Sequence, residues 1–263
     1  MLIKLLKYDL KYMIKNMAIF YILSIFFALT TRILFSLNET VMIKILGQIS
    51  TGCMFAMIAN ILINTMMRSW VRFRDSIYKD EAYLTHTLPV TKNDIYNSKF
   101  VQTLIFFVVG FLIILLSLFI AYYTKDRWLE LKHLISSITT GLQFNTTLFV
   151  ISFFTVIFLE VFNAIQCGFL GIILGYKKNN NKVGFSILFG FIAYLLSQSI
   201  VLLLVYIVGL FNSSIMNLFT SKILLDTSSF KLLIILAIII YLIIIILMSI
   251  MCKKEFNKGV NIE

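Results

Sequence analysis

Six apolar runs, each close to or beyond the roughly 20 residues that cross a hydrocarbon core, divide the chain: Met17 to Leu37, Ile45 to Met67, Phe100 to Tyr123, Thr146 to Tyr176, Val183 to Gly209 and Leu232 to Cys252. Backbone polar groups in lipid must bond within their own segment, so each run predicts a helix, with spans at about 17–37, 45–67, 100–123, 146–176, 183–209 and 232–252. The fold class is therefore all-α, a polytopic membrane protein with six transmembrane helices. Ahead of the first run, Lys4, Lys7, Lys11 and Lys15 recur at helical spacing, with Leu2, Leu5, Leu6, Leu10 and Met13 around the far side. This predicts an amphipathic helix over residues 1–16 lying in the cytoplasmic interface, after which the chain turns into a six-span domain over residues 17–263. Asp9 interrupts the pattern by projecting among the apolar residues. The Met17 to Leu37 run is longer than a signal-peptide core and lacks a small-x-small cleavage site, so it reads as a retained first span.

The connection over residues 68–99 is different in kind. The stretch from Trp70 to Asp94 holds Pro89, the only proline, and four of the 12 acidic residues, which concentrates polar chemistry where the chain has left the membrane. Arg68, Arg72 and Arg74 carry the second helix past the headgroups into water. Leu88-Pro89 then forces a break, because the proline ring disfavours helix at the residue before it and supplies no N–H. Thr91-Lys92-Asn93-Asp94 fits a capping box that opens the next helix, and Val90 with Ile95 fits the accompanying hydrophobic staple. Leu88, Pro89, Thr91 and Asp94 thus define a tight turn between two helices. Before it, Asp75, Tyr78, Lys79, Asp80, Glu81, Tyr83 and Leu84 mix charge with aromatic and aliphatic side chains, the composition of a docking patch for a soluble partner. The plainer reading is a solvated loop that only joins two spans.

Composition sharpens the class. A hydrophobic fraction of 60% with 13% charged residues, and a mean hydropathy of +0.96, lie far outside soluble usage. The net charge of +11 does not indicate nucleic acid, because the basic residues fall between apolar runs rather than on one folded face. Their distribution gives topology instead. Lys4, Lys7, Lys11, Lys15, Arg68, Arg72, Arg74, Lys79, Lys92, Lys99, Lys177, Lys178, Lys182, Lys253, Lys254 and Lys258 make 16 on one face, against six on the other: Lys44, Lys125, Arg127, Lys132, Lys222 and Lys231. By the positive-inside rule both termini and residues 68–99 are cytoplasmic.

Within the spans Glu160 stands near the middle of the fourth run, where an ionised carboxylate costs a few kcal/mol. It reads either as a substrate or proton contact or as helix glue helped by Asn163 and Gln166. Asn60 and Asn64, one turn apart, form a polar seam that either joins helices or lines a translocation path. Glu160, Asn163, Asn60 and Asn64 are accordingly the candidate path residues. Gly168, Gly171 and Gly175 let another backbone approach closely, in a helix or dimer contact. Outside the membrane, helical spacing from Trp128 to Leu142 and from Leu210 to Asp226 predicts two partly buried helices capping the outer end.

Catalytic chemistry finds little to build on. Cys53, Cys167 and Cys252 are isolated, His86 and His133 are the only histidines, and none of the 11 glycines precedes a lysine, which excludes a phosphate-binding loop. The chain is expected to be no enzyme and to hold no cofactor or metal of its own. An intramembrane enzyme centred on Glu160 lacks paired carboxylates, histidine or cysteine pairs to support it.

The basic N-terminus, the six runs, and Asp80-Glu81-Ala82-Tyr83-Leu84-Thr85-His86-Thr87-Leu88-Pro89-Val90 followed by Lys99 resemble the permease subunits of ABC-2 class ABC transporters, in particular small six-span permeases of Gram-positive bacteria. Such relatives often show Gly-Tyr-Leu, a Thr-Leu-Pro and a lysine before the third span; Ala82 stands in place of that glycine. The resemblance implies that residues 68–99 contain a cytoplasmic coupling helix received by a separate ATPase subunit, which would hold the ATP and Mg. Asp75, Tyr78, Asp80, Glu81, Tyr83 and Leu84 would dock that subunit. It further implies a second permease copy, identical or different, and a bacterial plasma membrane. On this reading the chain is the membrane half of an ATP-driven exporter of an apolar or amphipathic substrate, such as a peptide or lipid. The alternative is a membrane scaffold or sensor that recruits a cytoplasmic partner without transport.

Overall fold

A computed structural model describes residues 2–37, 40–79, 81–123, 125–141, 145–212, 215–216 and 227–259. The described residues form α1 (Leu2–Ser36), α2 (Val41–Tyr78), α3 (Ala82–Thr87), α4 (Lys92–Tyr122), α5 (Lys125–Gly141), α6 (Thr146–Gly175), α7 (Lys182–Phe211) and α8 (Thr227–Asn257), with no strand among them. Six of these helices are long and apolar enough to cross a membrane, all except α3 and α5. The protein is an all-α polytopic membrane protein. Helix contacts gather into two compact units that divide between Leu129 and Glu130, where the sequence pattern suggests one domain over residues 17–263.

In the first unit α1 packs on α2 and α4, α2 packs on α4, and α3 rests on α2. The sequence predicts a turn between an interfacial helix and the first span, but α1 runs unbroken for 35 residues. The reason lies in the side chains: no glycine or proline occurs from Leu2 to Ser36, and Asp9, Met13, Met17, Ser24, Ala28 and Thr31 form one buried stripe at spacings of a helical turn or two. Met13 and Met17 pack with Phe106, and farther along Ala28 packs with Met54 and Ala121. Polar contacts stitch the same interfaces. Ser24 and Ser117 hydroxyls lie 2.9 Å apart between α1 and α4, and Thr30 and Thr31 lie 2.7 and 3.0 Å from the Ser50 hydroxyl between α1 and α2. Small residues permit the approach, Gly110 of α4 standing where a methyl group would lie 3.2 Å from Ile61. Helix α2 spans 38 residues, roughly 57 Å at 1.5 Å per residue, so it exceeds a hydrocarbon core of about 30 Å and projects well beyond it.

In the second unit α6 packs on α7 and on α8, with a smaller contact between α7 and α8. The Gly171 and Gly175 stripe meets α7: a methyl group at Gly171 would stand 2.5 Å from the Ser186 carbonyl oxygen and the Gly190 Cα, and one at Gly175 would stand 2.5 Å from the Ser186 Cα. The glycines therefore serve a helix contact within the chain. The connection between the two helices closes on Asn181, whose backbone adopts the left-handed conformation (φ 45°, ψ 47°) that Asn tolerates, and whose side-chain oxygen accepts from the Gly184 amide. Helix α5 occupies the region where the sequence predicts a capping helix. It is partly buried, Ile135 being half-buried and Thr139 buried, while Trp128 and Leu134 are exposed and the Trp128 ring stands 6.1 Å from that of Tyr123. Most of the second expected capping helix lies outside the described residues; Leu210 and Phe211 belong to α7, and Ile215 is buried.

Replacing Gly175 by Leu should unseat α7 from α6 and lower the unfolding free energy by about 1–3 kcal/mol or more, as overpacking against backbone does. Gly52, where an added methyl group would meet nothing within 4 Å, provides the control: Gly52→Ala should leave the unfolding midpoint unchanged or raise it slightly, since alanine favours helix by up to about 1 kcal/mol. Thermal unfolding of the purified chain followed by circular dichroism reads both.

Candidate functional site

Where α1, α2 and α4 meet beyond the apolar runs, three charged side chains are buried together. Asp9 Oδ1 accepts from Arg72 Nε at 2.9 Å and from Lys99 Nζ at 2.6 Å, and Asp9 Oδ2 accepts from the Ser98 hydroxyl at 3.0 Å. The side chains of Asp9, Lys99 and Arg72 are 2%, 4% and 9% exposed. Burying an unpaired charge would cost several kcal/mol, and here every oxygen of the carboxylate has a donor. The Arg72 guanidinium also lies 4.6 Å from the centre of the Tyr12 ring, which buries one of its faces. Its Nη1 donates to Glu81 Oε1 at 2.7 Å, and Glu81, with a side chain 46% exposed, is the one member of the group that reaches the surface. Two carboxylates thus balance two cations. From the sequence pattern Arg72 and Lys99 belong to the topological charge count, and Asp9 is only a flaw in a stripe. The overlooked signal is that same flaw, since a carboxylate four residues before Met13 on the apolar face needs cations from other helices.

Directly after Glu81 comes α3. It is anchored on its inner side by Ala82 and Thr85, both buried, and by the His86 ring nitrogen 3.2 Å from the Ile77 carbonyl oxygen. Its outer side carries Tyr83 and Leu84, 64% and 72% exposed, with Leu88 next to them also exposed. Leu88 is extended (φ −66°, ψ 142°), as the residue before Pro89 should be, and its carbonyl accepts from the Val90 amide at 2.8 Å. Thr91 then caps α4: its hydroxyl accepts from the Asp94 amide at 3.1 Å and donates to Asp94 Oδ2 at 2.8 Å. Leu88, Pro89, Thr91 and Asp94 therefore make a compact turn, with exposed Leu88, Pro89 and Thr91.

Of the six expected docking residues, Tyr83 and Leu84 present apolar surface on α3. Asp75 is partly exposed and paired with Arg74 at 2.8 Å. Glu81 divides its side chain between Arg72 and solvent. Tyr78 is a correction: it is 1% exposed, because α2 remains helical through this residue and turns Phe73, Ile77 and Tyr78 into the core. Asp80 lies outside the described residues.

The four expected path residues fall in two units. In the first, Asn60 donates to the Ala56 carbonyl and Asn64 to the Asn60 carbonyl, each at 2.9 Å, so both amides find partners on their own helix. In the second, Asn163 is fully buried and donates to the Ser197 hydroxyl at 2.9 Å, while Gln166 donates to Ser249 at 2.7 Å. Asn163 and Gln166 hold α6 to α7 and α8, which is the gluing role and gives Asn163 no accessible surface in this unit. Glu160 is half-buried and accepts from the Tyr194 hydroxyl at 3.5 Å. At the end of this unit, Glu255 pairs with Lys177 at 2.6 Å and with Lys258, tying the segment after α6 to the last turn of α8. Among the described residues no group of His, Cys, Asp or Glu is arranged to hold a metal ion. Comparison with protein-family models, with curated proteins and with solved structures finds no match for the chain.

Asp9→Asn removes the fully buried carboxylate of the clamp and leaves Lys99 and Arg72 against a neutral amide. The expected cost is about 3–5 kcal/mol of unfolding free energy, the range for breaking a buried pair from one side. Lys11→Gln, on the exposed face of the same helix, should stay within about 0.5 kcal/mol of the parent. Reversible unfolding in mixed micelles compares the two, and equal stabilities would show that the clamp contributes nothing.

Proposed function

We propose that the chain is the transmembrane subunit of an ATP-driven exporter, with its ATPase in a separate cytoplasmic subunit. The observation that carries this reading is α3: a short helix outside the apolar runs, braced from beneath by Ala82, Thr85 and His86, that offers Tyr83 and Leu84 to solvent. Large apolar side chains held out on a polar segment suit the centre of a protein contact, with Asp75 and Glu81 at its rim. The resemblance of Asp80 to Val90 to ABC-2 permeases names the partner class. ATP and Mg belong to that partner, whose hydrolysis moves α3 and, through the long rigid α2, the spans. This chain converts motion and carries no chemical step.

The same reading places both termini, α3 and the Lys177 to Lys182 segment in the cytoplasm of a bacterial cell, on the 16 to six asymmetry of basic residues. A second permease copy, identical or different, completes the path. Spans rich in Phe, Ile and Leu with few fixed charges suit an apolar or amphipathic substrate such as a peptide or lipid.

Orientation is read by thiol labelling in a chain whose three native cysteines are replaced by alanine. Thr87→Cys and Asn179→Cys, both at exposed positions, should resist an impermeant maleimide in intact cells and react after lysis; Lys132→Cys should react in intact cells. Labelling of Thr87→Cys from outside would invert the topology.

For docking, the double substitution Tyr83→Ala with Leu84→Ala should weaken ATPase association by about 2–4 kcal/mol, the size of interface hot spots. Asp75→Ala should have a smaller and salt-sensitive effect, as rim charges mainly steer encounter. Co-purification of the ATPase and permease-stimulated hydrolysis measure both. Normal insertion with unchanged binding and stimulation in the double variant would remove the coupling role from α3.

A further inference from the structure

We propose that Arg72 is an electrostatic latch through which the state of α3 governs how firmly the start of α1 is clamped to α2 and α4. The guanidinium is held from two sides. Its Nε bonds to Asp9, which is buried, and its Nη1 bonds to Glu81, which leads into α3 and is 46% exposed. Asp9 Oδ1 is shared between Arg72 and Lys99, so two cations sit around one oxygen. Glu81 holds the Nη1 end of the guanidinium and so keeps Nε aimed at Asp9 against the repulsion of the neighbouring Lys99 ammonium, which weighs more in a poorly solvated site than in water. Withdrawing Glu81 frees that end, and Arg72 then turns away from Lys99 and off Asp9, leaving α1 to Lys99 and Ser98 alone.

The arrangement makes that withdrawal feasible. Glu81 is the only member of the set that solvent or a partner can reach, and a cationic group docking beside Tyr83 and Leu84 would compete for it. The Tyr12 ring, 4.6 Å from the guanidinium, gives Arg72 a surface to rest on when Glu81 leaves. What loosens is confined. Asp9 is the first buried residue of α1 among those with described side chains, the next being Met13, so residues 3–13 hold the clamp with only the Leu10, Tyr12 and Met13 packing around Phe106 beside it, while the stripe from Met17 to Thr31 is secured by its own packing. The proposal deepens the exporter reading by giving α3 a route to α1, and it relies on that reading only for the identity of the cation-bearing partner.

Hydrogen exchange on the full chain in lipid nanodiscs, without any ATPase, tests the latch separately from the exporter reading. Glu81→Gln should speed amide exchange over residues 3–13 by about tenfold and leave residues 17–36 unchanged. Glu81→Asp, which keeps the charge on a shorter arm, should fall between Gln and the parent. Asp9→Asn should loosen the same residues, and adding Glu81→Gln to it should change nothing further, because both act through Arg72. Parent-like exchange over residues 3–13 in Glu81→Gln would overturn the latch. So would independent, multiplying effects in the double variant. If Glu81→Gln does not insert, Glu81→Asp alone decides, its exchange over residues 3–13 being faster than the parent's if the latch operates and equal to it if not. An ATPase that fails to bind would count against the exporter reading and leave these outcomes untouched.

Discussion

Asp9 occupies the face of α1 that otherwise carries Met13, Met17, Ser24, Ala28 and Thr31, and an ionised carboxylate on such a face is tolerated only with cations inside hydrogen-bond reach. That requirement organises one end of the first unit. Helix α2 must extend far enough past its apolar run to deliver Arg72, and α4 must begin early enough to deliver Ser98 and Lys99. The N-terminal residues cannot peel away to lie flat on the bilayer while Asp9 keeps these partners. Glu81, bonded to Arg72, then fixes where α3 starts. The placement of Tyr83 and Leu84 at the surface is therefore downstream of a carboxylate more than 70 positions earlier in the chain.

Much of this architecture was legible from local pattern. The six long helices follow from apolar run length, and the turn at Leu88-Pro89 with the Thr91 cap follows from backbone chemistry that needs no tertiary context. The Gly171 and Gly175 stripe announced a close approach, though not that its partner was α7. What local pattern could not supply was contact over long separations. Lysine spacing at positions 4, 7, 11 and 15 correctly marks the exposed face of α1, yet the absence of any helix breaker near Asn16 outweighs the change from amphipathic to apolar sequence, and the helix simply continues. Tyr78 looks like a surface aromatic in a charged segment, but its angular position on α2 decides its burial. Asp75 and Glu81 keep surface character because their positions turn away from that core.

Polar residues within the apolar runs divide by how they are satisfied. Ser24 with Ser117, and Thr30 and Thr31 with Ser50, bond across helices in the first unit, whereas Asn60 and Asn64 turn back onto their own backbone. In the second unit Asn163 and Gln166 bond across helices. Such cross-helix bonds contribute roughly 0.6 kcal/mol each on average in membranes, so they specify register and partner more than they supply stability. Glu160 is set apart by its charge and its partial exposure, with a long bond to Tyr194.

The contact of α6 with α7 has a consequence for the order of assembly. These helices are joined by a connection of only residues 176–181, and their backbones approach so closely at Gly171, Gly175, Ser186 and Gly190 that no acyl chain fits between them. The contact is short in sequence separation and complete in shape before α8 exists, which is the condition under which a pair of helices forms quickly. During synthesis the hairpin becomes available as soon as Phe211 has left the ribosome, and Asn163 finds Ser197 within it. Helix α8 then arrives on a preformed surface, with Gln166 waiting for Ser249. The second unit is in this sense a two-helix nucleus with a late third member, while the first unit must wait for α4 before the charge on Asp9 is fully answered.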